Sequence, residues 1–191
     1  DDIPSLSIND VSYTESGTEG NATFTVSLSE EAAQNVTVDY ATSNATATAG
    51  ADYTATTGTV TILAGNTTQN FTVPVLADTL DEVNETATLT LSNASNASIS
   101  DATGTLTIVD DDIPSLSIND VSYTESGTGG NATFTVTLSE AAAQDVTVDY
   151  ATSNATATAG ADYTATTGTV TILAGNTTQN FTVPVLADTL D

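Results

Sequence analysis

Apolar and polar residues alternate along most of the chain. In the segment FTVSL at residues 24–28, every second side chain is apolar and the others are Thr or Ser. The same period of two marks residues 36–40, 60–62, 71–75, 87–91 and 106–108. Because successive side chains of a strand point to opposite faces, this alternation predicts strands with one buried face. With an opening segment around Leu6, Ile8 and Tyr13, residues 1–110 show about seven such strands, which is typical of an antiparallel β-sandwich.

One strand pattern contains a proline. Pro74 lies within the apolar alternation of residues 71–75. Proline has no N–H group to donate to a neighbouring strand, so its presence predicts that this strand lies at a sheet edge or carries a bulge.

The strand pattern is repeated along the chain. The segment DDIPSLSINDVSYTESGT begins at Asp1 and again at Asp111, which gives a period of 110 residues. Over the 81 aligned positions only four differ, namely Glu19/Gly129, Ser27/Thr137, Glu31/Ala141 and Asn35/Asp145. The sequence therefore predicts two domains, residues 1–110 and residues 111–191, of which the second lacks the last 29 or so residues of the period. No Gly- or Ser-rich spacer separates them, so one module runs almost directly into the next.

The composition excludes several classes of function. The chain has no Lys, Arg, His or Cys, and its 25 Asp and Glu residues give a formal charge of -25. Without imidazole, thiol or side-chain amine, most general bases, covalent nucleophiles and transition-metal ligands are missing. Nucleic-acid binding also lacks the basic surface that neutralises phosphates. We therefore predict that the protein is not an enzyme. A hydrolase that uses carboxylates alone is the remaining catalytic alternative, and it would need two convergent acids in a cleft.

The acidic residues are concentrated at four places. They are Glu15, Asp52, the run Asp78, Asp81, Glu82 and Glu85, and the triplet Asp110, Asp111 and Asp112. All of these follow or connect predicted strands, so in a sandwich their loops can converge at one end. Since the chain has no basic side chain, clustered carboxylates must stay solvated, shift their pKa values upward or bind a cation. A solvated acidic surface and a metal site are thus the two interpretations.

Four segments carry a resemblance to a known family. They read VTVDYATSNATATAGADY (residues 36–53), GTVTILAG (58–65), DTLDEVNETATLTLSNAS (78–95) and GTLTIVDDD (104–112). Together they resemble the Calx-beta domain, which occurs in sodium/calcium exchangers, integrin β4 and many bacterial surface proteins. The resemblance implies tandem seven-stranded, immunoglobulin-like β-sandwiches, the second copy incomplete, with calcium as the cofactor at the acidic tip.

The same resemblance implies the calcium ligands. Carried over by position, they are Glu15, Asp52, Asp78, Glu82, Glu85, Asp110, Asp111 and Asp112 in the first repeat, with Glu125, Asp162 and Asp188 as counterparts in the second. Calcium takes about six to eight oxygen ligands and prefers carboxylates, carbonyls and water, which agrees with this set. Ala77 stands where the family often has a further Asp, so the number of ions stays open.

These observations lead to a structural function. We predict a calcium-binding repeat of an extracellular or cell-surface stalk, adhesin or filament, in which calcium stiffens the junctions and other copies of the repeat or chain are the partners. The alternative is an extracellular module that recognises a carbohydrate or protein through its end loops. The chain contains no apolar run of about 18 residues, so the sequence predicts no membrane span. Sequons predict sites for N-linked glycans at Asn21, Asn35, Asn44, Asn66, Asn70, Asn84, Asn93, Asn96, Asn131, Asn154, Asn176 and Asn180.

Overall fold

The structure, a computed structural model, describes residues 3–124 and 127–187. The chain folds into two compact units. The first contains the described residues up to Thr79 together with Val83–Asp111, and the second contains Leu80–Glu82 and the described residues from Asp112 onward. Every regular element of the described residues is a β-strand, which confirms the all-β prediction. The described residues contain no helix long and apolar enough to cross a membrane.

The first unit is a sandwich of two sheets. Its strands are β1 (Ser5–Ile8), β2 (Val11–Thr14), β3 (Gly20–Leu28), β4 (Val36–Asn44), β5 (Thr57–Ile62), β6 (Thr68–Val75), β7 (Glu85–Ser95), β8 (Ser98–Ile99) and β9 (Thr103–Val109). One sheet has the order β6-β3-β1-β8 and the other the order β2-β9-β7-β4-β5. The pairs are antiparallel apart from β1 with β8 and β2 with β9, which are parallel. Pro74 lies in β6, at an edge of its sheet, as its chemistry predicts.

The predicted opening strand is divided into two. β1 pairs with β3 in one sheet, whereas β2 pairs with β9 in the other. The two residues between them explain the division. Asn9 Oδ1 accepts a hydrogen bond from the Thr25 N–H (2.7 Å), and Asp10 Oδ1 accepts one from the Thr105 N–H (2.7 Å). Each side chain thus binds the backbone of a different sheet, and the chain crosses between the sheets at this point.

The core of the first unit lies between its two sheets. The ring of Phe71 on β6 stacks on Tyr40 of the facing sheet with a centroid distance of 3.9 Å, and it also stacks on Phe24 of the neighbouring strand at 5.7 Å. The largest fully buried side chains include Tyr53, Phe24, Leu6, Ile62, Leu89 and Leu106. All but Tyr53 follow the alternation of the strands.

The second unit has fewer strands. They are β10 (Leu116–Ile118), β11 (Gly130–Leu138), β12 (Val146–Ala151), β13 (Thr167–Ile172) and β14 (Thr178–Val185), in the sheets β10-β11-β14 and β12-β13. The residues 82–110 that have no counterpart here form three strands in the first repeat, β7 to β9, rather than the two or so that the sequence predicts. Leu116 is 41% exposed and Ile118 is 56% exposed, whereas Leu6 and Ile8 at the same positions are 0% and 5% exposed. A groove lined in part by Phe134, Tyr150 and Phe181 lies in this unit.

Candidate metal centre

Parallel pairing brings two acidic residues to the same sheet edge. Thr14 at the end of β2 is opposite Val109 at the end of β9, and the Glu15 N–H donates to the Val109 carbonyl (3.0 Å). Because parallel strands end at the same edge, Glu15 and Asp110 emerge side by side. Glu15 is only 5% exposed, and Oδ1 of Asp110 is shielded from solvent. One carboxylate oxygen each from Glu15, Asp110 and Asp112 lie within 4.8 Å of one another.

A second acidic group involves the start of β7. Glu85 is the first residue of β7 and pairs with Ile108 near the end of β9, so it lies at the same edge of the sheet. One carboxylate oxygen each from Asp52, Glu82 and Glu85 lie within 4.8 Å of one another. Glu82 and Glu85 are half-buried. The two groups together contain six carboxylates.

Backbone hydrogen bonds hold Asp52 in place. Asp52 Oδ2 accepts from the Thr48 N–H (2.5 Å), and the Asp52 carbonyl accepts from the Leu76 N–H (3.0 Å), which follows β6. Gly50 has a φ of 92°, in the left-handed region that favours glycine. The turn that presents Asp52 is therefore fixed by the protein itself.

A buried tyrosine supports this turn. Tyr53 is fully buried, and its Oη donates to Asn44 Oδ1 (2.7 Å), which also accepts from the Ala49 N–H (3.0 Å). Burial raises the pKa of Tyr53, and the negative charge of Asp52 raises this pKa further. The phenol therefore stays neutral and remains a hydrogen-bond donor at neutral pH.

Asn84 joins the loop before β7 to the end of β9. Its Oδ1 accepts a hydrogen bond from the Asp110 N–H (3.2 Å). The sequence identifies Asn84 only as a sequon. Its position inside the acidic run is the one sequence signal that places it near the predicted metal ligands.

The two groups fit calcium in their chemistry and their spacing. Calcium–oxygen distances are about 2.4 Å, so two ligands on opposite sides of one ion are about 4.8 Å apart. Each group thus offers three carboxylates that can coordinate one ion. Backbone carbonyls and water would complete a coordination shell of about six to eight oxygen ligands. The chain has no basic side chain to neutralise these charges. Two carboxylates about 4 Å apart repel each other by about 4 kcal/mol at an effective dielectric constant near 20, and a divalent ion reverses this repulsion.

The structure brings most of the first-repeat ligand candidates together. Glu15, Asp110 and Asp112 form one group, and Asp52, Glu82 and Glu85 form the other. Asp78 and Asp111 are exposed and belong to neither group, so their ligand role stays a prediction.

The second repeat contributes one described candidate. Asp162 has the contacts of Asp52, because its Oδ2 accepts from the Thr158 N–H (2.6 Å) and its carbonyl accepts from the Leu186 N–H (2.9 Å). The turn thus forms in the same way in both repeats. Glu125 and Asp188 lie outside the described residues.

The two tyrosines near the acidic loops of the first repeat do not form an exposed aromatic surface. Tyr53 is fully buried and Tyr13 is half-buried. Recognition of a carbohydrate by the loops of the first repeat would therefore have to use other side chains. The alternative of a binding module stays a prediction.

Fold and site together define a protein of tandem immunoglobulin-like sandwich repeats with acidic loops at one sheet edge. The sequence profile of the Calx-beta domain matches residues 1–112 and residues 110–191. The chain therefore belongs to the Calx-beta family.

Solved structures show the same fold. CBD12 from CALX1.2 is 22% identical with a TM-score of 0.53, over 95% of this chain and 76% of that one. The calcium binding domain CBD12 of CALX1.1 is 22% identical with a TM-score of 0.52, over 93% of this chain and 74% of that one. The apo form of the Calx CBD1 domain is 22% identical with a TM-score of 0.50, over 58% of this chain and all of that one. No curated protein matches the chain.

Proposed function

We propose that the chain is a structural calcium-binding repeat of an extracellular stalk, adhesin or filament. The observation that carries the proposal is the pair of acidic groups, each with three carboxylate oxygens within 4.8 Å. The family and the calcium-binding name of a similar structure support calcium as the ion.

Calcium would act mainly on loops and on the connection after β9. Glu15, Asp110 and Asp112 would hold one ion, and Asp52, Glu82 and Glu85 would hold another. An ion held by both Asp110 and Asp112 removes backbone freedom from the segment that leads into the second repeat. It supplies the positive charge that no side chain of this protein supplies. We therefore propose that calcium stiffens the junctions of the repeat array.

Thermal unfolding with calcium, with magnesium and with a chelator tests the proposal. A ligand at 100 times its dissociation constant stabilises the folded state by about 2.7 kcal/mol, so calcium should raise the unfolding temperature by several degrees. Magnesium should do less, since it requires a tighter octahedral site. Asp110→Asn and Glu85→Gln should each reduce the calcium-dependent rise.

Glu19→Gln is the matched control. Glu19 is exposed, belongs to neither acidic group, and is replaced by Gly129 in the second repeat. This variant removes one charge and should keep the full response to calcium. An unfolding temperature that is the same with calcium and with chelator would refute calcium binding.

We propose that the protein works outside the cell or at the cell surface. Extracellular calcium modules operate with dissociation constants of about 10⁻⁴–10⁻³ M, which suits loops that are partly exposed. The proposed partners are other copies of the repeat or chain, and the sequons are proposed sites for N-linked glycans. Mass spectrometry of protein from its natural source would show whether these sites carry glycans.

A further inference from the structure

One edge of β12 is unpaired in the described part of the second unit. β12 pairs with β13, and their sheet contains no third described strand. In the first unit, β4 begins with the same sequence, VTVDYA, and pairs with β5 on one side and with β7 on the other. An unpaired strand edge presents backbone N–H and C=O groups that can take up a further strand. The first unit therefore shows which strand fits this edge.

The apolar face beside the free edge is only partly covered. Val148 in β12 is half-buried, whereas Val38 at the same position of β4 is 1% exposed. Phe134 is likewise half-buried, whereas Phe24 is 0% exposed. Val148 and Phe134 both line open grooves of the second unit. An occupant of this face would therefore have to bring apolar side chains to it.

The strand that covers the equivalent face has a simple chemistry. In β7, the apolar side chains Ala87, Leu89 and Leu91 are at most 3% exposed and belong to the core of the first unit. They alternate with Thr88 and Thr90. β7 runs antiparallel to β4 and is followed by β8 and β9. A segment with this alternation can fill an apolar groove and extend a sheet at the same time.

Asp149 in β12 provides a second indication of the ligand. Its counterpart Asp39 accepts two hydrogen bonds, one at Oδ1 from the Thr59 hydroxyl (2.6 Å) and one at Oδ2 from the Asn93 amide of β7 (3.0 Å). Asp149 Oδ1 accepts the equivalent bond from the Thr169 hydroxyl (2.6 Å), but within the described residues its Oδ2 accepts none. A carboxylate oxygen at the free edge is thus available for the amide that β7 supplies in the first unit.

We propose that the free edge of β12 and the apolar face beside it form a strand-acceptor site, and that its ligand is the segment of residues 86–109 of another copy of the repeat. The two repeats differ at four of 81 aligned positions, none of which lies in β12, so the site has the sequence to which this segment is fitted in the first unit. The segment adds next to β12 in the register of β7 on β4, with Leu91 opposite Tyr150. Backbone hydrogen bonds supply affinity, and alternate side chains supply specificity.

This inference goes beyond the proposed calcium function. Residues 86–109 contain none of the proposed calcium ligands, and neither does β12. Strand addition at this site is therefore expected with calcium and with chelator alike. A direct pairing of two β12 edges is the competing occupant. In its symmetric register it would bring the Asp149 carboxylates of two copies close together, and like charges on neighbouring strands are destabilising.

A synthetic peptide with the sequence of residues 86–109 is the probe, added to the whole chain in a buffer that contains a chelator. Hydrogen-exchange NMR is recorded on two samples, each with one repeat isotopically labelled, because the repeats are nearly identical. The peptide should slow the exchange of the β12 amides towards that of the β4 amides and leave β4 unchanged. Intermolecular nuclear Overhauser effects should join Tyr150 to Leu91 of the peptide, as the β4–β7 register requires.

Matched variants show whether the site recognises this segment or any extended chain. A peptide with Leu89→Asp and Leu91→Asp should not bind, and one with Asn93→Asp should bind about tenfold more weakly because its amide donor is lost. In the chain, Asp149→Asn should weaken binding to a similar extent, whereas Asp39→Asn makes the same change in the first repeat and should leave the affinity for the peptide unaltered.

Three results would overturn the inference. One is an exchange of the β12 amides that the peptide does not change. Another is equal binding of the original peptide and the peptide with Leu89→Asp and Leu91→Asp. The third is a protection of β12 that rises with the concentration of the chain alone and that the peptide does not displace, since this would show β12 edges pairing with each other. None of these results bears on calcium binding, which the unfolding experiments test separately.

Discussion

At the scale of the residue, Tyr53 shows how a loop is held by a single polar atom. Its phenol is buried and donates to Asn44 Oδ1. In Tyr53→Phe that oxygen keeps only the Ala49 N–H. Loss of a buried hydrogen bond costs about 1 kcal/mol, so the free energy of unfolding should fall by about that amount in denaturant titrations. Tyr163→Phe removes the same bond from a less buried site and should have a smaller effect. Equal midpoints for wild type and Tyr53→Phe would contradict this account.

Asp39 provides a prediction about pH. The Thr59 hydroxyl (2.6 Å) and the Asn93 amide (3.0 Å) donate to its two oxygens and lower its pKa below the ordinary value. A carboxyl whose pKa is lower in the folded state contributes stability above its unfolded pKa and loses it as pH falls through the folded pKa. Thr59→Val should therefore raise the pKa of Asp39 and destabilise the protein at neutral pH, and this destabilisation should vanish in acid. NMR titration of the Asp39 carboxyl, with unfolding measured across pH, checks both effects; an unchanged pKa in Thr59→Val would contradict them.

At the scale of the element, the crossing of the opening strand requires a glycine. A Cβ atom on Gly104 in β9 would lie 2.8 Å from the Asn9 carbonyl oxygen and 3.3 Å from Ile8 Cγ1. Overpacking of this kind typically costs about 1–3 kcal/mol, so Gly104→Ala should lower the unfolding midpoint. Gly17→Ala is the control, since nothing lies within 4 Å of its Cβ position. Equal stability of the two variants would show that the strands can separate there without cost.

The strands also show which parts of the fold can be predicted from the alternation of apolar and polar residues. Alternation predicts β3 and β4 because it reflects which side chains face the core, a local property of each strand. The parallel pairing of β2 with β9 joins residues about 95 positions apart, and alternation contains no information about it. The acidic residues after the strands were visible in the sequence, but their division into two groups depends on this pairing. Asp81 and Asn84 accept hydrogen bonds from the backbone N–H groups of Ala143 and Asp110, which lie far along the chain. No local sequence pattern predicts such contacts.

At the scale of the whole molecule, the two repeats should differ in local stability. β4 pairs with both β5 and β7, whereas β12 pairs only with β13 in the described residues. The two strands share the sequence VTVDYA, so from its second residue onward the intrinsic exchange rates are equal and a difference in exchange reports structure. We expect the amides of β12 to exchange faster than those of β4 in hydrogen-exchange NMR. Equal protection would indicate that something else pairs with β12 in solution.

The parallel pairing of β2 and β9 has a consequence for a protein under tension. A pull on the two ends of the first repeat draws β2 from its Val11 end and β9 from its Val109 end, which lie at opposite ends of the pair. The strands are then loaded in shear, so their hydrogen bonds share the force instead of breaking one after another. Glu15 and Asp110 follow these same two strands. An ion bound by both residues would cross-link the ends of β2 and β9 and so resist their separation under force. Mechanical resistance would then be highest where calcium is plentiful.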